Sequence, residues 1–492
     1  MHVLVVTARK AAETVKSAVG DMAEVLVLDI DIAAFTSPTR LKNAMPSEKY
    51  DLIIIPGLVS ADFSSLEKEL NTPVRLGPKH AVDLKLVISI LSELELSTTI
   101  PACELLTTKR RENALISLEE IEKSVSPVLM LDNVKIGGGS IIKVMAEVVN
   151  ATSLSKNELA NRIYQFQSKG ADIIDLGVGM AATPAEVRAA VETAREISEV
   201  PLSIDTLDAE LISAAVESGV DLVLSLNSDN IAAVGQIISE KNIAAVVIPD
   251  SEGGLESLFA NIRSAKNMGI SKIIADPVLA PPGEDMVESM FRYRHFKQEC
   301  PDIPTFFGVG NITELMDVDS VGVNAMLTAL GWELGVDILF TPEYSDKAQG
   351  SINELKTAAN MMTLAGQRKS PPKDLGLDLL ILKEKRFRPF DVVPVEYIGA
   401  EASFQWTRDP AGSFKISISE SRVMEGSIRP GRIIAQHTKY TIVGDNAREV
   451  FDTILDMGLV SRLDHASYLG RELMRAELAL MMWRSYAQDD KF

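Results

Sequence analysis

Cysteine is nearly absent. The 492-residue chain has two, Cys103 and Cys300, far apart and without paired spacing, which excludes a disulfide framework and a cysteine zinc site and fits a reducing compartment. Long apolar runs are also missing: no stretch approaches the roughly eighteen apolar residues of a membrane span. The N-terminal MHVLVVTARK enters a strand directly, with no charged n-region before a long apolar segment, so a cytoplasmic protein without a membrane partner is expected. Positive charge is in deficit, with 49 Lys and Arg against 69 Asp and Glu and a net charge of −20. Nucleic acid would repel such a chain, which leaves a small molecule or another protein as partner.

The length calls for two or three domains. In the first segment, HVLVVTA, a helical 11–20, AEVLVLD and YDLIIIPG follow one another. Apolar runs of about five residues separated by helical stretches imply a parallel sheet covered on both faces. Residues 1–125 therefore form a Rossmann-like or flavodoxin-like doubly wound α/β domain. Its PGLVSADF turn lies where open α/β sheets bind ligands, but neither GxGxxG nor GxxxxGKS accompanies it, so an ordinary strand-to-helix turn in a structural or docking domain is the expectation.

SPVLMLDNVKIGGGS marks a boundary with a short hairpin, and a strand-then-helix unit then recurs eight times. The strands are expected at 142–150, 171–177, 200–205, 220–227, 243–249, 271–277, 303–310 and 336–341. Helical stretches between them include 156–169, 184–198, 207–218, 254–268, 284–299 and 319–334. This spacing over 135–370 predicts a (β/α)8 TIM barrel, with two doubly wound halves as the alternative. Beyond KSPPKDLGLDLLILKEKRFRP, a linker rich in Pro and Lys, the segment ASFQWTRDPAGSFKISISESRVMEGSI alternates like strands around a DPAG turn, and NAREVFDTILDMGLVSRLDHASYLGRELMRAELALMM is helical. A C-terminal α+β domain of unknown role is expected over 385–492.

The barrel strands end in polar residues. Asn150 closes the first, Asp205 the third, Asn227 the fourth and Asp276 the sixth, and the seventh runs through GVGN into Asn311. Side chains there point into the barrel mouth, where TIM-barrel enzymes bind and transform substrates. Carboxylates and carboxamides together match a flat heterocycle that offers N–H donors and ring acceptors.

KVMAEVVNAT, GADIIDLG, VPLSIDTLDAE and AADP, in this order, resemble dihydropteroate synthase and, more broadly, the pterin-binding barrels that include methyltetrahydrofolate-corrinoid methyltransferases. The three-part layout is most similar to archaeal dihydropteroate synthase-like proteins associated with tetrahydromethanopterin metabolism. The resemblance implies that Asp276 holds the pterin amine and ring N–H, that Asn227 and Asp205 hold other edges, and that Asn150 sits near the leaving group and any magnesium. It implies an enzyme that joins a pterin methylene to an arylamine by orienting the two and stabilising developing negative charge. The partners it implies are a small-molecule pterin and an arylamine, with a homodimer as the assembly considered.

Four departures accompany the match. The loop after strand one is the short NATSLSKNE rather than one of the NVTPDSFSDGG type, and GVGMAATPAE stands where STRPG is expected. Asn311 occupies the place of the strand-seven lysine, as in the pterin methyltransferases, and FTPEYSDKAQGS replaces the strand-eight Arg-x-His pair. An anionic leaving group needs cationic or N–H donors. Lys347 and Ser351 are candidates to restore them, Lys347 being equally readable as a solvated helix lysine. Lys143 starts its strand and faces the wrong end of the barrel. Asn311 is readable as a ring contact or as the N-cap of the next helix, and Asp175 as a hydrogen-bond partner of a neighbouring loop. His437 and His465 are candidate cobalt ligands through a distant resemblance of the C-terminal segment to a corrinoid-linked domain, against local packing with ordinary ion pairs. Alternatives to the synthase are a pterin-dependent methyltransferase or methyl-carrier partner and a non-catalytic pterin-binding scaffold.

Overall fold

The computed structural model describes every residue except 93, 384–392, 403–404, 420–421, 425–426, 430 and 491–492. Part of the basic linker and part of the SISESRVMEG segment thus lie outside the described residues. Two compact units result, one of residues 1–119 with 374–377 and one of 120–373 with 378–492.

The first unit alternates β1 (Val3–Ala8), α1 (Ala12–Val19), β2 (Glu24–Leu28), α2 (Pro38–Ala44), β3 (Leu52–Ile55), α3 (Ser64–Leu70), β4 (Val74–Leu76) and α4 (Leu84–Ser89), and enters α5 (Ala102–Ser124). The strands pair in parallel in the order β2-β1-β3-β4. Val3, Val5, Leu52 and Ile54 feed one core, and Leu4, Val6, Ile53 and Ile55 another. Both faces are covered, so these strands read as continuous apolar runs. β4 has three residues, too few for a periodic signal.

In the second unit a hairpin, β5 (Leu129–Leu131) and β6 (Val134–Ile136), precedes β7 (Lys143–Val148). The repeat then continues as α6 (Lys156–Ser168), β8 (Ile173–Gly177), α7 (Pro184–Ile197), β9 (Leu202–Asp205), α8 (Ala209–Ser218), β10 (Leu222–Leu226), α9 (Ile231–Glu240) and β11 (Ala244–Val247). It closes with α10 (Gly254–Asn267), β12 (Ile273–Ala275), α11 (Met286–Glu299), β13 (Phe306–Gly308), α12 (Gly310–Thr313), α13 (Ser320–Leu334), β14 (Ile338–Thr341) and α14 (Ser351–Arg368). All neighbouring pairs are parallel, in the order β12-β11-β10-β9-β8-β7-β14-β13, and the Ala275–Thr305 bridge brings the two ends together. The eight-stranded barrel is the fold the sequence implies, and its helices start at strong caps: Ser155 with Glu158 and Thr183 with Glu186 form reciprocal capping boxes.

The interior is layered. Met145, Ile173, Leu222 and Ile338 pack with Leu129, Leu131 and Ile136 of the hairpin, which plugs the N-terminal end. Two residues further along the strands, the same inward parity carries Glu147 and Asp175, and two further again it carries Asp205, opposite Gly177. The bottom is therefore apolar and the mouth acidic. Outside the barrel, Lys169 and Glu343, both buried, form an ion pair, and Lys169 Nζ also lies 5.2 Å from the ring centroid of Trp483.

The C-terminal part carries an antiparallel sheet of β15 (Phe414–Ile418), β18 (Ile433–His437) and β19 (Thr441–Gly444), with a separate hairpin of β16 (Arg422–Met424) and β17 (Ser427–Arg429) between. Helices α15 (Ala447–Asp456) and α16 (Leu463–Met481) cover it through Val450, Ile454, Leu469 and Leu473. This is the α+β fold expected.

Candidate functional site

Asp276 follows β12 and is held from below. Its Oδ1 accepts the Tyr293 hydroxyl at 2.6 Å and the Val278 N–H at 2.8 Å, while no described donor is bonded to Oδ2. Tyr293 comes from α11, is fully buried, and its hydroxyl also lies 2.9 Å from the Phe306 carbonyl. Burial pushes the Asp276 carboxyl up to about 6, against the lowering effect of Tyr293 and Val278. The Arg292 guanidinium is committed to the Pro277 and Val278 carbonyls, at 3.3 and 2.9 Å, and stiffens the turn after the carboxylate.

Asp205 ends β9, and its Oδ1 accepts the Ser225 hydroxyl at 2.8 Å. Ser225 reaches it through a register shift in β10, where its φ is +69°. A left-handed serine costs about 1 kcal/mol, and here it turns a side chain toward the mouth. Asn227, two residues on, is buried; its N–H donates to Asn230 Oδ1 at 3.0 Å and its Oδ1 accepts the Asp229 N–H at 3.1 Å. Asn230, which sequence reasoning passed over, braces this turn through Nδ2 bonds to the Ser225 and Leu207 carbonyls.

Asn311 is not a cap. The N-cap of α12 is Val309, without a side-chain cap bond, and Asn311 Nδ2 instead donates to the Leu279 carbonyl at 2.8 Å, tying the exit of β13 to the loop after β12. Asn150 is exposed at the exit of β7 with φ +53°. Its loop is joined to the next by the Gly179 N–H, which donates to Thr152 Oγ1 at 3.2 Å.

Two carboxyls lie beneath these groups. Asp175 is fully buried and accepts the Ser203 hydroxyl from the adjacent strand, so its partner is β9 rather than a loop. Glu147, beside Asp175 in register, was missed by sequence reasoning. The signal was present: an acid two residues after Met145 in an apolar strand shares the inward face. Glu147 leans across Gly177, where a Cβ would overlap its Oε1.

The cations expected to replace the anion site are engaged. Lys347 lies in a 3-10 turn after β14 and pairs with the exposed Asp317 at 2.7 Å. Ser351 is fully buried and accepts from Asn324 Nδ2 at 3.0 Å, a packing role that removes it from any phosphate contact. Lys143 is at the far end of the barrel, buried against Glu122 Oε1 at 2.7 Å and the Ile141 carbonyl at 2.6 Å. Among the described residues, the one set of three His, Cys, Asp or Glu ligand atoms within 4.8 Å of each other is His2, Glu24 and Glu48, in the other unit. Among the described residues of the mouth, no three such atoms come within that distance of one another.

The C-terminal histidines have protein partners at both ring nitrogens of His437 and at Nδ1 of His465. His437 Nε2 lies 3.0 Å from the Ala411 carbonyl and Nδ1 accepts from Lys439 N–H at 3.4 Å, which leaves neither ring nitrogen for cobalt. His465 Nδ1 lies 3.0 Å from Asp409 Oδ2, not from its neighbour Asp464. Asp409 is buried and also accepts from Ser461, Arg462 and Ala411; these bonds hold its carboxyl far below the usual range and pin the DPAG turn to the start of α16.

Residues 148–339 match the family described as Pterin binding enzyme, and residues 408–489 match the family described as PterinBD-DUF4346. The chain is 35% identical to the uncharacterized protein MJ0107 of Methanocaldococcus jannaschii over 99% of its own length and 98% of that protein. It is 40% identical over 68 residues to a Ycf91-like protein of Nostoc, covering 13% of this chain and 54% of that one. Solved structures similar to it include dihydropteroate synthase of Clostridium difficile in the presence of pteroic acid, 20% identical with a TM-score of 0.38 over 47% of this chain and 98% of that one. Another is the Yersinia pestis enzyme with a pterin-sulfa conjugate, 15% identical with a TM-score of 0.40 over 49% of this chain and 99% of that one.

Proposed function

We infer that this chain, which belongs to the family of the Methanocaldococcus jannaschii protein and carries a pterin-binding enzyme domain, holds a pterin across the mouth of its barrel and catalyses group transfer from it. The observation that carries this reading is the Asp276 carboxylate. Tyr293 and Val278 fix Oδ1, and Oδ2 is left to accept the adjacent amine and ring N–H of the pterin. Asn227 and Asp205 then meet the remaining ring edges, and each buried polar group left unpaired by a mismatched ligand costs about 1–3 kcal/mol. Asn150 and Asn311 stand at the rim, where the pterin substituent leaves the ring.

The reaction class follows from charge. Four carboxyls, Glu147, Asp175, Asp205 and Asp276, line the mouth and its floor, and two cations near the strand ends are engaged, Arg292 with the Pro277 and Val278 carbonyls and Lys347 with Asp317. Such a site favours transfer of a one-carbon group borne by an uncharged reduced pterin over departure of a diphosphate. Its setting is the metabolism of a tetrahydromethanopterin-type cofactor, a reading supported by the three-part layout of the chain. The second reading is coupling of a pterin methylene to an arylamine. Lys347 supports it, because its pair with the exposed Asp317 is a surface pair, worth about 0–1 kcal/mol, that an incoming anion displaces at small cost.

Calorimetric binding of 6-hydroxymethylpterin and its diphosphate to the wild type and to Asp276→Asn separates these readings. Binding of neither ligand by the wild type ends the pterin reading. Tighter binding of the diphosphate that is lost in Lys347→Ala selects the coupling reaction. Equal affinities select transfer from an uncharged pterin.

A further inference from the structure

The acids on the inner wall are not independent. Glu147 stands opposite Asp175 across β7 and β8, and Gly177, the next inward position, stands opposite Asp205 across β8 and β9. Glu147 reaches over Gly177, so its carboxyl lies toward Asp205, between the floor of the mouth and its rim. Asp175 is fully buried, and while Ser203 satisfies Oδ1, its Oδ2 lacks a well-formed hydrogen bond. An orphaned oxygen at the bottom of a wall of like charges is poorly served by ionisation. A proton relieves both problems, because a carboxylic acid carries no charge and has an O–H to give.

We propose that Glu147 and Asp175 form a protonated floor of the ligand site, in which Glu147 presents a carboxylic O–H to an acceptor nitrogen of the bound heterocycle, on a different edge from the N–H groups that Asp276 accepts. This rests on the pterin reading of the mouth and adds to it a specificity residue. The site then grips a donor edge with a carboxylate and an acceptor edge with a carboxylic acid, so two groups of one chemical type take opposite roles according to their surroundings.

The groups around each carboxyl agree with this division. Glu147 is faced by Asp205 from β9 and by Glu314 from the segment after β13, both repelling, and with burial as the largest cause its carboxyl is pushed up to about 7. Asp175 is raised well above the carboxylate range by burial, Asp205 and Glu147, against the smaller pulls of Ser203 and the Leu176 N–H. Asp205 is raised by burial and opposed by Ser225. Asp276 has Tyr293, the Val278 N–H and Arg292 to favour its charge, and stands at about 6. Near neutral pH, Asp276 is ionised and Glu147 retains much of its proton.

The test is calorimetric titration of the full-length protein with 6-hydroxymethyl-7,8-dihydropterin from about pH 5 to about pH 9, the span over which such shifted carboxyls titrate. Wild-type affinity is expected to fall above pH about 7, approaching tenfold per pH unit, with uptake of a proton on binding that is visible as a buffer-dependent heat. Glu147→Gln, whose amide N–H donates at every pH, should bind without this fall. Glu314→Gln, which removes a repelling charge and keeps one of the two oxygens that accept the Tyr344 and Ser345 N–H groups, should move the fall to lower pH. The ligand's own titration is common to all three proteins and cancels in the comparison. Wild-type binding that is flat above pH 7, or a fall of equal size in Glu147→Gln, overturns the protonated floor while leaving the pterin reading standing. Absence of wild-type binding at every pH removes both.

Discussion

The Tyr293 hydroxyl donates to Asp276 Oδ1 at 2.6 Å from a fully buried position on α11, so a helix of the outer ring sets the charge state of a carboxylate at the barrel mouth. This bond lowers the Asp276 carboxyl against the larger effect of burial, and the balance stands at about 6.

Tyr293→Phe should therefore push Asp276 higher still and reduce its ionised fraction at neutral pH. We expect pterin affinity at pH 7 to fall several-fold, and the acid limb of the affinity profile to move to higher pH. Calorimetry across pH reads both, and an unmoved acid limb contradicts the assignment.

Glu147 should make the empty protein pH-sensitive. Its folded value of about 7 lies above the unfolded value near 4.5, so the stability it contributes is fully present below the latter and is lost as pH rises through the former. Charging it in the fold costs up to about 3 kcal/mol, so Glu147→Gln should match the wild type near pH 4 and unfold at a higher temperature near pH 8. Thermal unfolding at the two pH values checks the sign.

Ser225→Gly separates strain from function. Glycine adopts φ +69° without the penalty of about 1 kcal/mol that serine bears, yet it removes the hydroxyl that orients Asp205. The variant should be no less stable and should bind pterin more weakly. Chemical denaturation and calorimetry on the same preparation reveal both effects.

The Lys169–Glu343 pair is buried on both sides, and Glu343 Oε2 also accepts the Ile352 N–H at 3.0 Å. Glu343→Ala strands a buried ammonium and an amide. A loss of about 3–5 kcal/mol is expected, with pterin affinity unchanged in the protein that remains folded.

Much of this was legible without coordinates. Strand and helix ranges in the barrel fall within a few residues of expectation, because buried parallel strands leave short apolar runs and helices announce their starts, as at Ser155 and Thr183. Asp205, Asn227 and Asp276 stood out because a polar residue after an apolar run is conspicuous. Glu147 did not, since it sits inside its run. Its meaning depends on facing Asp175 and on the empty space at Gly177, both of which belong to neighbouring strands.

Partners were the hardest to foresee. Ser351 looked available to an anion and is packed against Asn324; Asn311, readable equally as a ring contact or a helix cap, braces Leu279, 32 residues earlier. His465 turned to Asp409, 56 residues away, rather than to the adjacent Asp464.

Local periodicity and the polar strand ends, both properties of contiguous residues, determined by themselves that this chain builds a TIM barrel with a polar mouth. Which acids share a wall, which of them keeps a proton and which cations are already occupied were decided only in the tertiary structure. Burial and charge repulsion act between residues that the barrel brings together from distant parts of the chain, and no single strand contains them.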